Sequence, residues 1–194
     1  MLPPLSHIFE ICLYSLLNFF PFLIFALYPF RDDLRFSRTK TGLLIVVLTF
    51  LQILFGLLAR FSTGNISAIL SLISTLSYAI FYFAAIRKSP GQLLFVLLMI
   101  SNIANLTVIT AKCLEGQFFP DFALLPYRYS MSLFMVIAEI FILIPIFVFL
   151  KKVITPAISC SQSFHEWRYL WLIPATFYPV SYTHLRAHET EADL

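Results

Sequence analysis

"MSLFMVIAEIFILIPIFVFL", residues 131–150, is an unbroken run of aliphatic and aromatic side chains with one carboxyl group, Glu139, near its middle. A helix needs about 20 mainly apolar residues to cross a bilayer core roughly 30 Å thick. This run meets that length. It does not alternate apolar with polar, as a barrel strand would. The stretch therefore reads as a membrane-spanning helix.

Working outward, four more runs have the same character: roughly 8–30, 42–61, 66–86 and 93–111. A sixth, 169–180, opens as "YLWLIPATFYPV" and stops short of a crossing length. The expected fold is all-α, a polytopic transmembrane helical bundle of five full spans plus a truncated sixth, filling residues 1–180. Composition agrees, since 60% of residues are hydrophobic and only 12% charged. A soluble domain carries about a quarter charged residues. A net charge of +3, scattered between apolar runs, argues against a nucleic-acid partner and for the lipid bilayer. "MLPPLSHIFE" has no basic segment ahead of its apolar run, so the first span is expected to be retained rather than cleaved.

Basic residues alternate from connector to connector. Arg31, Arg35, Arg38 and Lys40 lie in the first connector, Arg87 and Lys88 in the third, and Lys151, Lys152 and Arg168 after the fifth run. The intervening connectors hold Arg60, Lys112 and Arg128, a tally of nine against three. The positive-inside rule then predicts a multi-pass membrane protein with its amino terminus outside and the three more basic segments in the cytoplasm. A cytoplasmic domain downstream would need a seventh span.

Polar residues within the spans are the candidate functional groups. Glu139 should face the bundle interior, because a carboxyl exposed to lipid is costly. It either contacts a ligand or a proton, or rests protonated against Asn102, Asn105 or a serine. Asn102 and Asn105 are three apart and share a helix face. Ser67, Ser71 and Thr75 recur every four residues, with Ser74 beside them, a pattern for close helix packing and interhelical hydrogen bonds. Pro21, Pro145 and Pro174 interrupt apolar runs and predict kinks. "LEGQFFPDFALLPYRY" joins the fourth and fifth runs. Its Phe118, Phe119, Phe122 and Tyr127 suit either an interfacial belt or a surface for an extracellular peptide or small molecule.

Soluble chemistry is not legible. There is no phosphate-binding loop, nucleotide fingerprint or nucleophile elbow, and only five glycines. No cofactor and no catalytic residue is expected. Cys12, Cys113 and Cys160 stand apart and predict free thiols. His184 and His188 have helical metal-pair spacing, yet they sit in "SYTHLRAHETEADL", where composition changes abruptly after Val180. "SYTHLRAHET" resembles translated sequencing-adapter read-through, which implies that 181–194 is not native.

The layout of residues 1–180 resembles the membrane sensor region of bacterial sensor histidine kinases with a GHKL-type ATPase domain, including peptide-sensing quorum kinases. Short-looped spans, "FHEWRYLWLIPATFYPV" opening a late span, and the aromatic external loop carry the likeness. The resemblance implies signal reception, a homodimer and a kinase domain beyond the final span of the parent protein. The rival expectation is a fragment of a small secondary transporter using Glu139.

Overall fold

The structure, a computed structural model, describes residues 5–62, 65–123, 129–160 and 167–177. The expected tail, 181–194, and the end of the sixth run lie outside the described residues. Five helices are long and apolar enough to cross a membrane. No strand forms among the described residues; the nearest thing is an isolated antiparallel bridge, Leu34 to Ile86.

Helix α1 runs Leu5–Leu27 and closes in a 3-10 turn, Tyr28–Phe30; α2 is Arg38–Phe61 and α3 is Asn65–Ala85. Helix α4 is Pro90–Phe118, followed by a short α5 at Pro120–Ala123. Helix α6, Tyr129–Phe149, continues through a π-turn, Leu150–Ile154, into α7, Thr155–Cys160. Last comes α8, Trp167–Leu170. In lipid the backbone must satisfy its own hydrogen bonds, which is why continuous apolar sequence settles as helix.

Two helices outrun the apolar sequence that predicts them. Helix α4 passes residue 111 and reaches Phe118, 29 residues in all. The α6–α7 rod, Tyr129–Cys160, has 32 residues. At 1.5 Å per residue these are about 43 and 48 Å long, well beyond a hydrocarbon core of about 30 Å. The surplus of α4 projects at one end of the bundle and that of α6–α7 at the other.

Helix α1 packs on α2, α4 and α6, and α4 and α6 pack on each other. Helix α3 lies at the edge against α2, while its Tyr78 and Tyr82 reach Phe19 and Phe30 edge-on. Two apolar clusters divide the interior. The larger joins Leu23, Phe30, Tyr82, Ile86, Val96, Ile100, Leu150 and Ile158. The smaller joins Val108, Ala111, Met131, Phe134, Met135 and Ala138, with Tyr14 and Leu17 against it. Outward faces are apolar too: Phe141 is 76% exposed, Phe50 70% and Ile80 67%. A soluble bundle would hide such surface, and a bilayer solvates it.

The connector between α1 and α2 is stitched to the connector between α3 and α4. Arg35 N–H donates to the Ala85 carbonyl at 2.8 Å, Arg87 N–H to the Asp33 carbonyl at 2.9 Å, and Arg35 Nε to the Ile86 carbonyl at 3.0 Å. Lys88 Nζ stands 3.3 Å from Asp33 Oδ2. The 3-10 turn at 28–30 packs on both the π-turn and α7. Three basic connectors, separate in sequence, thus share one end of the bundle.

Of the hydroxyls on α3, Ser74 makes the expected interhelical hydrogen bonds, whereas Ser71 and Thr75 do not join the seam. Ser71 and Thr75 are exposed, and Thr75 Oγ1 turns back to the Ser71 carbonyl at 3.0 Å. The polar contact between α2 and α3 is one step round the helix. Gln52 Nε2 donates to the Ser74 carbonyl at 2.9 Å and to Ser77 Oγ at 3.1 Å, while Ser74 Oγ donates back to Gln52 Oε1. A buried amide with two donors and an acceptor recruits the hydroxyls it can saturate, and that fixes the face. One turn further along α2, a Cβ at Gly56 would come within 2.6 Å of Ser15 Oγ, so α1 and α2 approach closely there.

Candidate functional site

The seam between α1, α4 and α6 holds the buried acids. At the end opposite the basic connectors, α4 delivers Glu115, fully buried, and its Oε1 accepts the Ser130 hydroxyl from the first turn of α6. Glu10, near the start of α1, is also buried at this end. The chain following α4 folds back over α6. Phe118 stacks on Phe134 with ring centroids 6.0 Å apart, and Phe119 meets the same ring tilted, also at 6.0 Å.

Nine residues beyond Ser130, about 13 Å down the helix, lies Glu139. It is 8% exposed, so it faces the interior as the sequence predicts. The expected resting partner is missing. Glu139 makes no hydrogen bond to Asn102, Asn105 or a serine, and its Oε1 is buried with no partner among the described residues. Two turns toward Ser130, on the same face, Ser132 Oγ is buried and likewise unpartnered. Across the seam, Thr107 commits its hydroxyl to the Ile103 carbonyl at 2.8 Å. An unsatisfied carboxyl oxygen in a dry seam is costly, and such groups mark places where something else binds or moves.

Asn102 belongs to a different face of α4. Its Nδ2 donates to the Pro174 carbonyl at 2.8 Å, and its Oδ1 is buried without a partner among the described residues. It lines a cleft of about 400 Å³ between α4 and the segment after α8, with Phe95, Met99, Leu106, Ile173 and Phe177. Asn105 is half-buried and makes no side-chain hydrogen bond among the described residues. The sequence groups Glu139, Asn102 and Asn105 as one candidate site; the structure brings Asn102 to the last segment and Glu139 to the α1–α4–α6 seam. The Phe122 side chain and Tyr127 lie outside the described residues.

Sequence reading overlooked Glu10, Glu115 and Gln52. Each is an isolated polar residue in or beside an apolar run, and the rule that singled out Glu139 applies equally to them. Among the described residues, no group of three or more His, Cys, Asp and Glu could hold a metal ion. The three cysteines are free.

No protein family, no curated protein and no solved structure matches this chain.

Proposed function

We propose that the chain is the membrane-embedded, signal-receiving portion of a sensor histidine kinase. Its amino terminus lies outside, and its parent protein continues into a cytoplasmic kinase. The supporting observation is the α6–α7 rod. One helix carries Ser130 against Glu115 and Phe134 against Phe118 at one end. It carries Glu139 midway, and Leu150, Ile154 and Ile158 in the core at the basic end. A peptide or small molecule meeting the aromatic end would bias the packing of this rod between two states. Pro145 and the π-turn below it are where such a rod can change register, since a proline removes one ladder bond and a π-turn inserts an extra residue. In a homodimer the lipid-facing helices would supply the contact.

The unpartnered oxygen of Glu139 favours a second reading, a proton-coupled transporter. The experiment that separates the two uses the intact gene product in vesicles. Under the sensor reading, Glu139→Gln shifts basal autophosphorylation of the parent kinase and leaves solute flux at background. Proton-coupled uptake that disappears in Glu139→Gln would establish transport and defeat the sensor reading.

A further inference from the structure

We propose that the basic end of the bundle binds the headgroups of anionic phospholipids. Among the described residues this end gathers Arg31, Arg35, Arg38, Lys40, Arg87, Lys88, Lys151 and Lys152 against Asp32 and Asp33, eight cations to two anions. The stitched connectors account for the acids. Asp33 takes Lys88 at 3.3 Å and Asp32 takes Arg31 at 3.5 Å. Arg35 is spent on the Ile86 carbonyl, and Arg31 also lies over the Tyr28 ring, 4.9 Å from its centroid. Arg38, Arg87, Lys40, Lys151 and Lys152 remain exposed, with no carboxylate within ion-pair distance among the described residues.

Like charges brought together by folding repel, so this end calls for anions. The surface beside it identifies their source. Next to the free cations lie exposed apolar side chains, Leu43 on α2 and Phe149 and Val153 on the α6 rod, at 67%, 41% and 49%. A free phosphate has nothing to place against them, whereas a phospholipid lays acyl chains there and presents its phosphate to the cations. Juxtamembrane Lys and Arg act in this way, by attraction to a negatively charged leaflet.

The test uses the full chain purified in a neutral detergent and reconstituted with mixed phosphatidylglycerol and phosphatidylcholine, with co-purifying lipid measured by mass spectrometry. The wild type should enrich phosphatidylglycerol over the bulk mixture, and rising salt should lower the enrichment, as exposed charges are screened. Inorganic phosphate at matched ionic strength should not displace the lipid. R38Q/K40Q/K151Q/K152Q should bind phosphatidylglycerol more weakly, by roughly fivefold per cation removed. R38K/K40R/K151R/K152R should behave as wild type, which separates charge from shape. Equal retention of both lipids by the wild type, enrichment insensitive to salt, or displacement by inorganic phosphate would each overturn the proposal. The wild-type arms decide the matter even if the neutral variant fails to fold.

Discussion

The two ends of the bundle are fastened by different means. At the basic end, connectors are tied backbone to backbone, through Arg35 to Ala85 and Arg87 to Asp33, over a core that buries Phe30, Tyr82, Ile86 and Leu150. At the opposite end, the contacts between α4 and α6 among the described residues are made by side chains: a carboxyl on a hydroxyl, and Phe134 held by Phe118 and Phe119. Backbone ties have few alternatives, because the groups they satisfy have nowhere else to go. Side-chain contacts can exchange for a ligand's groups. The contrast makes the basic end the anchor and the aromatic end the part able to respond.

The comparison can be broken by substitution. The largest effect should come from Phe30→Ala, which empties a fully buried ring site at the anchored end and should cost about 3–5 kcal/mol. Reversible unfolding in mixed micelles would measure it, and a loss below 1 kcal/mol would deny that this end is the anchor. Next is Gly56→Leu. A side chain there would drive Ser15 and α1 away from α2, for about 1–3 kcal/mol, while Gly56→Ala should need only a turn of the Ser15 hydroxyl.

Smaller effects are expected at Glu139, midway along α6, at Ser130 in the aromatic end, and at Lys88 in the basic end. Glu139→Leu should raise stability by about 1–3 kcal/mol, since it removes a buried oxygen that has no partner among the described residues. Destabilisation instead would mean that Glu139 is satisfied in the membrane and is a structural group. Ser130→Ala should cost about 1–2 kcal/mol, because the buried Glu115 carboxyl loses a donor. Lys88→Ala should be the smallest, roughly 0–1 kcal/mol, because its pair with Asp33 is partly exposed.

Fold class was legible because in lipid an apolar run of sufficient length has no alternative to helix. Helix ends were less so. "KCLEGQF" after residue 111 loses hydropathy but keeps helical spacing, with Glu115 turned inward and Cys113 outward, so α4 runs on. Hydropathy marks where the oil ends, not where the helix does. The same blindness hid Glu115 and Glu10 as buried groups. The stripe of Ser67, Ser71 and Thr75 misled for another reason: several faces of α3 carry small hydroxyls, and Gln52 on the neighbouring helix selected among them. Asn102 and Glu139 could not be separated from sequence, because which face of α4 meets α6 and which meets the last segment depends on packing far along the chain.

Five helices can cross a bilayer, and the proposed topology puts the basic end on the cytoplasmic side. In a variant lacking Cys12, Cys113 and Cys160, single cysteines at Arg38 and at Asn65 would be treated with a membrane-impermeant thiol reagent on intact cells. Label at residue 65 before lysis, and at residue 38 only after it, is the expected result. Label at residue 38 in unbroken cells, or recovery of the chain in the soluble fraction without detergent, would contradict it.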